Sequence, residues 1–558
     1  MNPEIEKRIT SWLEGPFDEK SKEEIRTLQK TNPEELEAAF FQTLAFGTGG
    51  MRGIMGVGTN RMNIYTVRLA TQALANYLKK TKEKGHVFIG YDVRHNSKEF
   101  AQEAARVLAG NGIQVYLTKE VCPTPLVSFG CRYFQCGAAI VITASHNPPQ
   151  YNGYKAYWSD GGQLVPPHDV GVMQEAKSVT EWKLDPLDSP RIQWVGEEID
   201  KAYLKALSNS SFISKRNKDS MRIYYTNLHG TGLRLTPAAL KEWGFPPVIQ
   251  VAPQASLDGS FPFARTPNPE DPSSLKLGMD LLLQEKGDIL LATDPDADRV
   301  GVAVRYQEGA IRLSGNQVAC LLLQYVLSTL KEKNLLPKHA ACVKSIVTTE
   351  MFRKIAKHFG ATCVDVLTGF KYIAEKIHQW EGKNDPQYIF GAEESCGYLF
   401  HTFARDKDAI SACCLVAELA SLAKFENVTL VDLLYRLYHQ YGIHREMQQS
   451  LSFSETEEGL HQVNSIMESL RKNPPASIAG KRITSITDYL KETPLPKSDV
   501  ISFQLEDQTQ LIVRPSGTEP KLKIYGEAVE AASNPIEKAI AACDLRLMNQ
   551  IQDLRLQL

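Results

Sequence analysis

Four times along this chain a short apolar run stops abruptly in a polar loop whose side chains can do chemistry. In the first, Gly137-Ala138-Ala139-Ile140-Val141-Ile142 leads into Thr143-Ala144-Ser145-His146-Asn147-Pro148. A continuous apolar run bounded by turn residues reads as a strand buried on both faces. A strand that ends in a short polar loop puts that loop at the edge of a sheet, where α/β proteins bind ligands. Asn147-Pro148 enforces the turn, because the residue before proline is pushed out of helical geometry. Ser145 is thereby held in place with His146 beside it.

Strands alternating with helical stretches indicate layered α/β units. Strands are expected near 87–90, 113–117, 221–226, 288–292, 341–347 and 362–367. Helices are expected over 97–110, capped by Ser97, and over 315–332, 348–359 and 370–380. The tail differs, with strands near 510–513 and 521–528 around a loop and then a closing helix. The fold class read from this pattern is α/β: three similar mixed-sheet units and a smaller α+β unit. Their expected bounds are 1–205, 206–313, 314–445 and 446–558. A length of 558 residues suits about three to five domains. Between 443 and 497 the pattern is weakest, and Lys472-Asn473-Pro474-Pro475 and Pro494-Leu495-Pro496 read as connectors.

The second loop, Asp294-Pro295-Asp296-Ala297-Asp298-Arg299, follows Asp288-Ile289-Leu290-Leu291-Ala292. Carboxylates at alternating positions of one turn repel each other, a cost that a hard cation between them removes. The spacing resembles the start of an EF-hand, but the twelfth position is Arg305 rather than glutamate and the flanks read as strands. Three protein oxygens leave room for a phosphate oxygen, which suits Mg²⁺. The third loop, Arg514-Pro515-Ser516-Gly517-Thr518-Glu519-Pro520, offers a guanidinium, hydroxyls and backbone N–H groups, the donors a phosphate dianion needs. The fourth, Gly391-Ala392-Glu393-Glu394-Ser395-Cys396-Gly397, offers carboxylates and a hydroxyl suited to sugar hydroxyls. Taken singly, each loop has the ordinary alternative of a polar surface turn. Together they form one constellation: a nucleophilic hydroxyl, a cation cage, a polyol reader and a phosphate clamp. That set calls for phosphoryl transfer on a phosphorylated sugar.

Composition narrows the alternatives. Basic and acidic residues number 63 and 65, so no positive surplus exists to drive nucleic-acid binding. No apolar stretch approaches the roughly 18 residues of a membrane span, and the charged opening Met1-Asn2-Pro3-Glu4 lacks a signal-peptide core. Ten scattered cysteines without a Cys-x-x-Cys pair fit buried thiols in a reducing cytoplasm.

On TASHNP, DPDADR, EES and RPSGTEP, in that order, the chain resembles the α-D-phosphohexomutase superfamily of phosphoglucomutases and phosphomannomutases. The resemblance implies four domains around a central cleft, each contributing one loop. It implies that Ser145 is the phosphoserine and that Asp294, Asp296 and Asp298 bind Mg²⁺ together with the seryl group. Arg514, Ser516, Gly517 and Thr518 would grip the non-reacting phosphate, and Glu393 and Ser395 would read sugar hydroxyls. Lys155, ten residues after the serine, is the implied proton carrier, with His146 a second candidate or an orienting group. Arg52, Arg299 and Lys344 match charged residues near the serine, metal and substrate. A phosphorylated sugar is the implied partner, a sugar 1,6-bisphosphate the intermediate, and a monomer or dimer the assembly.

Two departures matter. Some bacterial relatives carry a histidine soon after the sugar-loop serine, where this chain has Cys396, Gly397 and Tyr398, leaving Lys155 or a more distant residue such as His401 for that role. Gly47-Thr48-Gly49-Gly50-Met51-Arg52-Gly53 and Thr368-Gly369-Phe370-Lys371 look most like the phosphoglucomutase/phosphopentomutase branch, which puts Gly369 and Lys371 on the sugar side. Glucose phosphates are the expected substrates. Pentose and mannose phosphates, and a non-catalytic phosphosugar-binding relative, are the alternatives.

Overall fold

The computed structural model describes residues 2–44, 50–83, 85–213, 218–383, 385–454, 456–516 and 520–558. Four sheets follow one another along the chain. The first contains β1 (Met51–Ile54), β2 (His86–Tyr91), β3 (Gln114–Thr118), β4 (Ala138–Ile142), β5 (Tyr151–Trp158) and β6 (Ile192–Val195) in the order β1-β5-β4-β2-β3-β6. The second contains β7 (Ile223–Thr226), β8 (Ile249–Gln250), β9 (Ile289–Thr293), β10 (Val300–Tyr306) and β11 (Gly309–Leu313) in the order β11-β10-β9-β7-β8. The third contains β12 (Ala340–Ser345), β13 (Thr362–Val366), β14 (Gln387–Glu393) and β15 (Gly397–Leu399) in the order β13-β12-β14-β15. The fourth, β16 (Ile443–Ser452), β17 (Ser477–Ile478), β18 (Lys481–Asp488), β19 (Ile501–Leu505), β20 (Gln510–Pro515) and β21 (Lys521–Glu530), is antiparallel throughout and runs β16-β21-β20-β19-β18-β17.

The first three sheets share one device. A strand with parallel neighbours is followed by a hairpin partner: β4 by β5, β9 by β10 and β14 by β15. Each chemical loop is the tip of such a hairpin, where the sheet changes from parallel to antiparallel. The fourth loop joins β20 to β21, also antiparallel. The apolar runs of β4 and β9 that feed the first two loops are buried on both faces. Along β4, Ala139 and Val141 join the largest core, while Ala138, Ile140 and Ile142 face a second core under the first sheet. Ile289 and Leu291 of β9 join the same large core, and Leu290 and Ala292 face another. Three helices, Pro3–Glu14, Glu19–Thr31 and Pro33–Phe40, precede the first sheet and pack on Val57 and Tyr65 around their own apolar cluster.

One local expectation needs correction. Ser97 is the first residue inside its helix rather than the cap. Asn96, at φ +62°, holds the cap position without a side-chain bond, and the Ser97 hydroxyl donates to Asp92 Oδ1 at 2.7 Å. The stretch 443–497, where the sequence pattern is weakest, holds β16, the helix Glu457–Lys472, β17 and β18. β16 escaped notice because its alternate residues His444, Glu446, Gln448, Ser450 and Ser452 are polar. They face a cleft and a domain junction rather than a core, so no apolar run marks the strand. Of the two proline-rich connectors, Asn473-Pro474-Pro475 and Pro494-Leu495-Pro496 lie outside regular elements, while Lys472 ends the preceding helix. No helix among the described residues is long and apolar enough to cross a membrane.

Candidate active site

The loops converge on one open cleft of ≈ 430 Å³, lined by Ser145, Arg299, Glu393 and Arg514, one residue from each. In three of them a non-glycine residue adopts left-handed backbone geometry: Ser145 at φ +51°, Ala297 at +52° and Cys396 at +62°. Such conformations cost about 1–3 kcal/mol each and persist where the surroundings impose them.

At Ser145 the imposing groups are visible. Its N–H donates to Thr143 Oγ1 at 2.9 Å, and Thr143 donates to the buried Asp92 Oδ2 at 2.6 Å. Arg94, paired with Asp92, lies under the loop and donates to the carbonyls of Ser145 at 2.6 Å, Pro148 at 2.8 Å, Tyr151 at 3.0 Å and also Asn147. The Ser145 hydroxyl donates to Asp294 Oδ2 at 2.7 Å and stands 3.2 Å from His146 Nδ1. Burial and the guanidinia of Arg299 and Arg52 push the His146 imidazole well below its ordinary value, so it is neutral at pH 7. Arg52 donates to Asn147 Oδ1 at 2.7 Å and lines the cleft.

Asp294, Asp296 and Asp298 are buried, and each offers an oxygen within 4.8 Å of the others. Asp294 Oδ1 accepts the backbone N–H groups of Asp298 at 3.1 Å and Arg299 at 3.0 Å. Asp296 Oδ2 accepts from Lys155 at 2.8 Å and Thr124 Oγ1 at 2.6 Å. Asp298 Oδ2 meets Lys155 at 3.3 Å and Lys407 at 3.2 Å. Asp296 Oδ1 and Asp298 Oδ1 are buried without a hydrogen-bond partner. Orphaned carboxylate oxygens are costly, and hard oxygen donors at this spacing fit a small divalent cation. Burial, then the charges of Asp296 and Asp298, push the Asp294 carboxyl well above the usual range. For Asp296 burial acts in the same direction, but Lys155 and Thr124 outweigh it and hold its carboxyl below that range. Burial would lower the Lys155 ammonium, yet Asp296 and Asp298 raise it.

Opposite stand the loops that follow β14 and β20. Glu393 Oε1 accepts the Gly369 N–H at 2.7 Å, and Gly369 and Ser395 line the cleft. Glu394 also lines it. Burial and the neighbouring Glu393 push its carboxyl up to about 7. Arg514 and Ser516 line the far wall. Gly517 and Thr518 lie outside the described residues, as do 45–49 of the glycine-rich stretch.

Three expected residues stand elsewhere. Lys344 is absorbed by Glu350 at 2.9 Å, the Thr348 carbonyl at 2.9 Å and Asp365 at 3.3 Å. Lys371 reaches back to the Leu164 carbonyl and Asp169 Oδ2, both at 3.4 Å. His401 is buried, bonded to Asp408 Oδ2 at 2.9 Å and stacked on Phe403. None of these three lines the cleft.

Sequence reading missed Lys407, Lys523, Thr124 and Arg94. Lys407 had a signal: Asp406-Lys407-Asp408 is a charged triplet directly before the apolar helix Ala409–Phe425. Lys523 lies between Lys521 and Tyr525 in the alternation of β21, all three lining the cleft. It stands directly across from Arg514, and two like charges so opposed are destabilising without an anion. Burial, Arg514 and Arg299 push the Lys523 ammonium down. Thr124 and Arg94 reach the site through contacts distant in sequence, which no local pattern announces.

The family models for domains I, II, III and the C-terminal domain of phosphoglucomutase/phosphomannomutase match residues 43–183, 201–309, 314–441 and 463–539. A phosphoglucomutase of Staphylococcus haemolyticus (strain JCSC1435) is 36% identical over 88% of this chain and 91% of its own. Among solved structures, a phosphoglucomutase/phosphomannomutase family protein of Burkholderia thailandensis matches with a TM-score of 0.65 at 18% identity, over 90% of this chain and 96% of that one. The open form of pp63/parafusin, a phosphoglucomutase from Paramecium, gives a TM-score of 0.65 at 17% identity, over 91% and 95% of the two chains.

Proposed function

We propose that this chain, which belongs to the phosphoglucomutase/phosphomannomutase family, interconverts glucose 1-phosphate and glucose 6-phosphate through phosphorylated Ser145. The observation that carries the reading is the Ser145 hydroxyl bonded at 2.7 Å to the acidic triad, facing a wall of Arg514, Ser516 and Lys523 across the cleft.

In the first half-reaction a sugar hydroxyl attacks the phosphorus on Ser145. The bond from phosphorus to Ser145 Oγ breaks as the new bond forms; the Lys155 ammonium, kept charged by Asp296 and Asp298, gives a proton to the departing Ser145 oxygen and is restored by the proton of the sugar hydroxyl. The bisphosphorylated sugar turns and returns its other phosphate to Ser145 Oγ, while the proton goes back to the sugar oxygen. Arg514, Ser516 and Lys523 hold whichever phosphate is not reacting, and charge-assisted bonds of this kind are the strong ones. Glu393 and Ser395 accept and donate to ring hydroxyls. His146, neutral, orients the serine. Asp294, Asp296 and Asp298 would hold Mg²⁺, the last two through Oδ1 atoms that lack a hydrogen-bond partner, supplying positive charge where phosphoryl charge develops. The ten reduced cysteines, nine of them buried, support a cytoplasmic setting.

Turnover with Mg²⁺ and a trace of glucose 1,6-bisphosphate tests this, comparing glucose, mannose and ribose 1-phosphates at equal concentration. Glucose ahead supports the reading; ribose ahead replaces it with a phosphopentomutase.

A further inference from the structure

We propose that Glu527 is a positioning residue that pins the phosphate-gripping sheet of the fourth unit to the first turn of the helix Glu350–His358 in the third. The pin thereby sets where Arg514 and Lys523 stand over the cleft. The inference rests on the reading that this sheet grips the sugar phosphate.

Alternate residues of a strand share a face. On β21 the face that carries Lys521, Lys523 and Tyr525 into the cleft continues to Glu527, which is buried outside it. On β16 the face that carries Gln448, Ser450 and Ser452 into the cleft continues back to Glu446 and His444. One end of this sheet face is therefore site and the other is junction. At the junction Glu527 Oε1 accepts from Thr349 Oγ1 at 2.7 Å and from the Glu350 N–H at 2.9 Å, while Oε2 stands 3.1 Å from the same N–H. A carboxylate on the first N–H of a helix is stabilised by the orphan donors and the helix dipole.

The contact closes into a ring. His444 Nδ1 lies 2.7 Å from Glu527 Oε1, and its Nε2 lies 3.0 Å from Lys354 Nζ. Lys354 belongs to the same helix and also donates to the Tyr441 carbonyl at 2.9 Å. The path runs from the helix, through Glu527 and His444, and back to the helix. Beside it the chain itself crosses between units at Gly442, in a backbone conformation of φ +94° that disfavours other residues. Glu446 stands directly across from Glu527, and burial together with that neighbour pushes its carboxyl up to about 8. The pinned segment also reaches the sugar loop: Ser345 Oγ lies 2.9 Å from Thr348 Oγ1 and donates to Glu394 Oε2 at 3.0 Å.

The test uses the full-length chain with Glu527→Ala, Glu527→Gln, Thr349→Val and the Glu527→Ala/Thr349→Val double variant. Readouts are kcat, KM for glucose 6-phosphate and small-angle scattering without ligand. Glu527→Ala should raise KM on the order of tenfold, with a smaller change in kcat, since misplacement of binding groups by an ångström is felt at that scale or above. Glu527→Gln, which keeps an acceptor for Thr349 and Glu350, should recover most of the loss. Thr349→Val should move KM in the same direction, and the double variant should add little. KM within twofold of wild type for Glu527→Ala, or fully additive effects, would overturn the pin. If Glu527→Ala does not fold, Thr349→Val decides alone by the same KM criterion. Scattering separates the two ideas: Glu527→Ala should be more extended than wild type whatever the substrate. Unchanged scattering overturns the pin, whereas a wild type without mutase turnover overturns only the function.

Discussion

Replacing Arg94 by methionine should cut kcat by about two orders of magnitude while leaving KM for sugar phosphate near its wild-type value. Arg94 is 3% exposed and touches four carbonyls of the serine loop, but does not line the cleft. Bonds from a charged donor contribute about 1.5–3 kcal/mol each. Counting only those to the Ser145 carbonyl at 2.6 Å and the Pro148 carbonyl at 2.8 Å gives at least about 3 kcal/mol. The left-handed conformation of Ser145 at φ +51° costs about 1–3 kcal/mol. Without the fork the loop has no reason to keep it, and the hydroxyl leaves Asp294. About 3 kcal/mol corresponds to roughly 150-fold in rate. Arg94→Lys keeps a charge for Asp92 but offers a compact ammonium in place of a planar fork, so it should fall between the two. The assay is steady-state kinetics in both directions, with thermal melts to confirm folding. A folded Met variant with wild-type kcat, or one in which KM rises and kcat holds, would refute the reasoning.

Three further outcomes follow from the site. Ser145→Ala should lose nearly all turnover yet bind glucose 6-phosphate calorimetrically; retained turnover would remove the serine from the chemistry. Asp298→Asn should weaken Mg²⁺ binding, measured by titration without substrate, by more than the ~10–100-fold typical of outer-shell partners; unchanged affinity would place the cation elsewhere. Glu394, raised from 4.5 to about 7, binds its proton more tightly in the folded than in the unfolded chain. Its contribution to stability is thus lost as pH rises from 4.5 towards 7, and levels off above that. Glu394→Gln should flatten that slope in melts taken across the window, and an unaltered slope would assign the loss to other groups.

The comparison of sequence with structure turns on distance along the chain. The apolar runs 137–142 and 288–292 were legible as buried strands because a strand covered on both faces needs apolar residues at every position. The three aspartates were legible because their mutual repulsion is a local fact, visible in spacing alone. β16 was not, since one face of it meets polar cleft and junction rather than core. Lys344, Lys371 and His401 stand apart from the cleft because their charges and polar atoms found partners in Glu350, Asp169 and Asp408, which no motif foretells.

Local chemistry in the sequence by itself determined the four loops, their order and their kinds of donor and acceptor. Their meeting was decided only by tertiary structure. Each loop is a hairpin tip whose direction depends on which strand pairs with which. The groups that hold the tips in place, Arg94 under Ser145, Thr124 on Asp296 and Glu527 on the helix Glu350–His358, act across 51, 172 and 177 residues of chain. Hydrogen bonds and ion pairs depend on ångströms in space, and at those separations the sequence leaves no periodic trace of which groups will be neighbours.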